Sequence, residues 1–306
     1  METLSVELHA QIFEFACVDG GATARALALV SHYIREVARP FLYQSLGISG
    51  HTCISELQSR LASLPPYLRR IRHLFLSDWE LSRIGERASS EEKDVERYER
   101  EKIAAMHILA LAAPTLESLT IIASCPYTST SLIAHLYSLP LPHLRELSIR
   151  GFYPFPVGVA QMPVLERLYL GGNRNPHGLL RLGALEAACP GLTHLCVSGL
   201  ISAVSFANEL REASLRLDDA HQAKFPAVLP RTLRHIAINP GSLPTKTSAT
   251  ARISHQKMLC ILEEMVACCS ESQPVQLTLH NESKDSYREM LRHWEGRLLG
   301  HDGCWP

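Results

Sequence analysis

Apolar residues along this chain follow two different periods. Near the start, Val6, Leu8, Ile12, Phe15 and Ala16 fall close to a helical repeat, which predicts an amphipathic helix with one apolar face. Ser5 is placed to cap that helix and Glu7 suits its first turn. Asp19-Gly20-Gly21 stops it. A second helix fits Thr23 to Val30, with Leu27 and Val30 on one side. Ser31 caps a third that carries Ile34 and Val37 inward, and Pro40 ends it. Helices this short bury little surface, so the unit needs either the rest of the chain or a partner to cover it. An N-terminal helical cap on a larger domain and a partner-binding hairpin both fit the periodicity.

Further along, a different phrase recurs: Leu-x-x-Leu-x-Leu, with Ile or Val allowed. It reads Ile71, Leu74, Leu76; Leu116, Leu119, Ile121; Leu144, Leu147, Ile149; Leu165, Leu168, Leu170; and Leu192, Leu195, Val197. A weaker copy is Leu210, Ala213, Leu215, another is Leu233, Ile236, Ile238, and Leu277 with Leu279 makes a last strand. The second half of each phrase alternates, as a strand with one buried face does. Successive copies start 45, 28, 21, 27, 18 and 23 residues apart. The middle spacings fall near the roughly 20–29 residues of a leucine-rich repeat.

Helical stretches separate these strands. Ser89-x-x-Glu92 reads as a capping box, opening a helix that is charged from Glu91 to Lys102 and apolar from Ile103 to Ala113. Asp94 and Arg97 are paired at helical spacing. Met258, Ile261, Leu262, Met265, Val266 and Cys269 form an apolar stripe, and Tyr287, Leu291, Trp294 and Leu298 form another, ended by Gly300. A last strand and helix are expected to cap the open end of the repeat array. Residues 240–250, rich in Pro, Ser, Thr and Gly, read as a loop.

Composition narrows the function classes. Lys plus Arg number 30 against 31 Asp plus Glu, which argues against a large nucleic-acid surface. Arg69-Arg70-Ile71-Arg72-His73 is a local basic cluster, read as a solvated face. No apolar run reaches membrane-spanning length, and the N-terminus lacks a basic leader and carries Glu2 and Glu7. The expected location is therefore intracellular, cytoplasmic or nuclear, without membrane attachment, and the nine cysteines are expected to be reduced thiols. Cys260, Cys268 and Cys269 lack paired ligand spacing and read as core rather than metal ligands. No catalytic motif is present, so neither enzymatic activity nor a cofactor is expected. Gly171-Gly172-Asn173-Arg174 reads as a turn. His73, His143, His194 and His235 each sit beside a repeat leucine, and are either a polar recognition row for a target or plain surface residues.

The N-terminal residues carry a resemblance. Leu4, Leu8, Ile12 and Phe13, then Leu29, Val30 and Ile34, then Pro40, Leu42 and Tyr43 match the pattern of an F-box. Ser5 stands for the usual Pro, Ser31 for the usual Cys and Ile34 for an aromatic, and fungal members look much like this. The body resembles a degenerate leucine-rich repeat, as found behind many F-boxes. The resemblance implies an α/β chain: a three-helix F-box over 1–49, a linker over 50–66, and a curved solenoid of parallel strands and helices over 67–300. It also implies that those ten N-terminal residues bind a Skp-type adaptor and, through it, a cullin scaffold. The body would then hold an unknown target protein for ubiquitination. The alternative is a repeat scaffold that never joins a ligase. An enzyme whose site is assembled from scattered residues is the third possibility.

Overall fold

The computed structural model describes residues 4–78, 92–156, 158, 161–181, 183–215, 226–243, 248–268, 275–280 and 286–301. Three short helices open the chain: α1 (Val6–Ala16), α2 (Ala22–Leu27) and α3 (His32–Ala38). Strands and helices then alternate: β1 (Ser45–Ser49), α4 (His51–Ser63), β2 (His73–Ser77), α5 (Glu92–Ala112), β3 (Ser118–Ala123) and α6 (Ser129–Ser138). They are followed by β4 (Glu146–Gly151), β5 (Arg167–Gly171), α7 (Ala184–Ala188), β6 (His194–Leu200) and α8 (Val204–Leu215). The last elements are β7 (His235–Pro240), α9 (Ala249–Cys268), β8 (Gln276–Leu279) and α10 (Tyr287–Leu298). The fold is α/β, with one eight-stranded sheet in sequential order β1 to β8 and every neighbouring pair parallel.

Register explains the repeated phrase. Leu74, Leu119, Leu147, Leu168, Leu195, Ile236 and Leu277 pair in turn across β2 to β8. Because side chains alternate along a strand, the next apolar set, from Leu76 to Leu279, lies on the same face. That face packs against α4 to α9 in one continuous core, which includes Ile54, Ile108, Ile133, Leu185, Phe206 and Met258. The leading residue of each phrase, such as Ile71, Leu116 or Leu165, turns into the same core from the loop before its strand.

Two backbone columns hold this register. At the strand starts, one carbonyl accepts both amides of the next strand's first residues. Arg72 and His73 donate to Gln44, Glu117 and Ser118 to Arg72, the pattern continues at the Glu117, Arg145, Glu166 and Thr193 carbonyls, and Arg234 accepts the Gln276 amide. At the strand exits stand glycines. Gly151 has φ +153°, and a Cβ there would lie 2.2 Å from the Ala123 carbonyl oxygen. Gly172 at φ +99° is pressed in turn against Gly151, and Gly241 against Gly199.

Several expectations are corrected. Residues 50–66, expected as a linker, hold α4, whose Ile54, Leu57 and Leu61 are buried in the core. The sheet begins earlier, at β1, a strand whose small residues Ser45, Gly47 and Ser49 hide its alternation. The weak copy Leu210-Ala213-Leu215 is the end of α8, because Leu210 and Ala213 also satisfy helical spacing, and Leu215 is exposed. The second helix stops at Leu27 and leaves Val30 exposed. Instead of closing the end of the sheet, α10 lies on its second face, with Tyr287, Met290 and Trp294 against Phe75, Ile122, Tyr169, Cys196 and Ala237. The Met258 stripe is core as expected, and Asp94 pairs with Arg97 at 3.7 Å. Cys260 and Cys268, expected in the core, are exposed on α9, and Ser89 and Cys269 lie outside the described residues.

The glycine column gives a test. Replacing Gly151 with Ala puts a Cβ into the Ala123 carbonyl, so it is expected to destabilise the chain by at least about 2 kcal/mol. Gly183 also has positive φ but faces open space, and Gly183→Ala is expected to destabilise by only about 1 kcal/mol. Urea melts of both variants check the contrast.

Candidate functional site

The N-terminal helices expose two apolar sets above a small core of their own. Ser5 accepts the Leu8 amide at 3.5 Å and starts α1, and Ser31 accepts the Ile34 amide at 3.1 Å and starts α3. Asp19 receives the Thr23 amide and hydroxyl and fixes the start of α2. Phe13, Cys17, Ala24, Ile34, Ala38 and Phe41 then close a compact interior, with Ala10, Leu27, Val37 and Leu42 packed around it.

α1 is apolar on two sides. His9 and Phe13 are buried. Leu8 and Ile12, each one residue earlier and so about 100° round the helix, face solvent together with Phe15. Exposure is 42% for Leu4, 47% for Leu8, 49% for Ile12 and 82% for Phe15. Leu29 and Val30 form the second set, at 81% and 60%. Their turn is nonetheless fixed: the Leu29 and Val30 amides bond Ala26 and Leu27, and Arg35 Nε donates to the Ala28 carbonyl at 2.7 Å. Tyr33, also exposed, reaches His9 at 3.1 Å and ties α3 to α1. Large apolar side chains held in water on a hydrogen-bonded backbone make this the candidate interaction surface.

Of the ten residues expected to meet an adaptor, Leu4, Leu8, Ile12, Leu29 and Val30 are exposed. Phe13 and Ile34 are buried at 5% and 3% and build the hairpin interior, so direct contact with a partner is corrected to a supporting role. Pro40, Leu42 and Tyr43 are half-buried, with Leu42 packed on the hairpin interior and Tyr43 on the main core. Phe15 and Tyr33 belong to the exposed surface but were not among the ten. Phe15 shares the Leu8 and Ile12 stripe, which was the signal available for it.

This unit is joined to the sheet by polar contacts. Gln44 Nε2 donates to the Glu14 carbonyl at 2.6 Å, and Ser45 Oγ to the Val18 carbonyl at 3.2 Å. Arg72 reaches the Glu14 carboxylate at 2.7 Å and holds Glu117 with two bonds, at 2.7 and 3.0 Å. Arg69 bonds the carbonyls of Leu64 and Ala62. Two arginines of the basic cluster therefore serve the fold rather than a solvated face.

Three of the four expected histidines share one register row. His73, Ser118, Glu146, Arg167, His194 and His235 pair in turn across β2 to β7. His194 and His235 stack at 4.6 Å. His143 is corrected: it precedes β4 and faces an open pocket with Arg72, Glu117 and Arg145, because Glu146 takes the row position on that strand. Glu146 is held by Arg167 at 2.8 Å and by Arg297 of α10. Burial alone would raise its pKa, but the bonds and charges of the two arginines outweigh burial and lower it.

Two groups along β2 oppose each other in acid. Burial pushes the His73 pKa down to about 4, while its Nδ1 lies 3.0 Å from Ser118 Oγ. Burial pushes the Asp78 carboxyl up to about 6, against the amide bond it accepts from Cys125 at 2.8 Å. Among the described residues no group of three His, Cys, Asp or Glu is placed to hold a metal ion. No described helix is long and apolar enough to cross a membrane. No protein-family model and no curated protein matches the sequence.

The pH dependence follows by sign. His73 binds its proton less readily folded than unfolded, so its contribution is lost as pH falls from about 6.5 towards 4. Asp78 binds its proton more readily folded, so it contributes a gain as pH falls from about 6 towards 3.8. His73→Gln is expected to lose less stability than wild type between pH 7.5 and 5, and Asp78→Asn to lose more. Urea melts at the two pH values check it, and slopes parallel to wild type in both variants contradict it.

Proposed function

We propose that this chain is the substrate-recognition subunit of an SCF-type ubiquitin ligase. The observation that carries the reading is the second apolar side of α1, together with the Leu29–Val30 turn: large side chains held in solvent at the positions where the F-box pattern meets its adaptor. In this reading α1 to α3 form the F-box and the parallel strands with α4 to α9 form the leucine-rich, solenoid-like body. The helical unit binds a Skp-type adaptor, and through it a cullin scaffold, by burying Leu4, Leu8, Ile12, Phe15, Leu29 and Val30. The body holds a target protein. Catalysis then comes from proximity, since a target lysine is brought to a ubiquitin thioester carried by another subunit. Nothing in this role requires the chain to activate a nucleophile, or to hold a cofactor or nucleic acid.

Polar contacts between α1, Gln44, Ser45 and Arg72 support the reading from a second side. They fix the orientation of the helical unit on the sheet. A subunit that positions one protein relative to another needs such a joint, because effective concentration depends on geometry.

The test is capture by a purified Skp-type adaptor. Leu8→Asp with Ile12→Asp is expected to weaken capture by about 100-fold or more, while changing stability by no more than about 1 kcal/mol, since both side chains are exposed. Phe13→Ala is expected to destabilise the helical unit by about 3 kcal/mol or more, because Phe13 is interior. A folded wild-type chain that fails to bind the adaptor replaces this reading with that of a binding scaffold outside any ligase.

A further inference from the structure

The two leucine rows stay dry across the sheet and emerge at its last strand. From β2 to β7 the first row, Leu74 to Ile236, is no more than 2% exposed, and the second, Leu76 to Ile238, no more than 1%. On β8 the same rows end in Leu277 and Leu279, which are half-buried, with Val275, at the open end of the core. The opposite end of the sheet carries the helical unit: on β1, Ser45 Oγ accepts the Gly20 amide at 3.3 Å and donates to the Val18 carbonyl at 3.2 Å. Among the described residues no strand lies beyond β8, and the cluster under α10 extends only to Ala237 on β7.

The backbone of β8 is open in the same direction. The Gln276 and His280 amides donate to the Arg234 and Ile238 carbonyls, so even-numbered positions turn their peptide groups inward to β7. Leu277 and Leu279 alternate with them and turn theirs away from the sheet. Neither amide has a bond among the described residues. Natural edge strands are blunted by a charge, a proline or a bulge. Residues 275–280, Val-Gln-Leu-Thr-Leu-His, carry no Lys, Arg, Asp, Glu or Pro, and β8 pairs with β7 without a shift of register.

We infer that β8 is a self-association edge whose occupant is β8 of a second copy, antiparallel about a two-fold axis at Thr278. The register is self-complementary. Leu277 of one copy and Leu279 of the other, whose peptide groups both point outward, exchange amide–carbonyl bonds in both directions. Their side chains share the leucine face, so each half-buried leucine gains a leucine across the axis and both rows run on through the dimer. Thr278 meets its own copy on the second face, and Gln276 meets His280. The assembly closes as a dimer because the pairing uses up the open edge of both copies. A strand of another protein would have to reproduce this alternation, whereas β8 carries it in both directions. The inference is independent of the ligase reading and applies to a scaffold as well.

Sedimentation of the full-length wild type from about 1 to 100 μM is expected to show a mean mass rising towards twice that of one chain. Thr278→Lys and Thr278→Glu each set like charges directly across the axis, and each is expected to sediment as one chain. Mixed in equal amounts, the two variants are expected to restore the double mass, because opposite charges then face each other. Leu8→Asp with Ile12→Asp, on the separate α1 surface, is expected to leave the dimer unchanged. A wild type that sediments as one chain throughout overturns the inference. So do charged variants that dimerise like wild type, a mixture that stays monomeric, or a dimer lost with the α1 substitutions. Should either charged variant fail to fold, Thr278→Cys decides. Directly opposed residues of such a pair lie about 4.5 Å apart at Cα, within the range a disulfide spans. After mild oxidation, a peptide joined to its own copy at position 278, found by mass spectrometry, sustains the inference, and its absence overturns it. Adaptor capture measured on the same preparations separates the two readings. Its loss with the dimer intact removes the ligase role alone, and the converse removes the dimer alone.

Discussion

The carbonyl of Gln44 accepts the amides of Arg72 and His73, and the rest of the molecule is stacked on that pairing. It starts the column of paired amides that sets each strand against the last in one register. A slip of one residue anywhere would turn a leucine row from the helices towards the opposite face. The same residue binds backwards through its side chain to the Glu14 carbonyl, so the column and the N-terminal helices share one buried anchor. Arg72, next in the column, repeats the arrangement with the Glu14 carboxylate. The orientation of the exposed α1 stripe is thereby set by the same contacts that set the sheet.

The polar side chains of Gln44, Ser45 and Arg72 at this joint are paired. Gln44 and Ser45 are almost fully buried, yet their side chains bond the carbonyls that end α1. Arg72 joins two carboxylates in a geometry worth more than an exposed ion pair, because its partners come from different elements and both are partly buried.

The leucine rows were legible because each repeat carries two strand-period positions and one loop position, and all three reach the core. The same rule misread Leu210-Ala213-Leu215, since a spacing of three serves a helix equally well. β1 was invisible because Ser45, Gly47 and Ser49 give its outward positions no polar contrast that a turn would lack. The glycine column was hidden for a different reason: Gly151 and Gly172 stand at similar strand exits, but only the stacked backbone shows that Ala123 excludes a Cβ on Gly151 and Gly151 excludes one on Gly172. At the N-terminus the pattern located the surface but could not divide it. Phe13 and Ile12 are neighbours in sequence, and only the packing of α1 on α3 sends one inward and the other out. His143 fell outside the histidine row because adjacency to a leucine does not fix register, whereas Glu146 holds the position by pairing with Ser118 and Arg167.

In the proposed role, α1 and the Leu29–Val30 turn form one partner-binding surface. Hydrogen exchange of the full chain, alone and with a purified Skp-type adaptor, tests it most directly. Added protection is expected in residues 4–16 and 28–34, with β2 to β7 unchanged. Protection on the sheet strands, or none along α1, would contradict it.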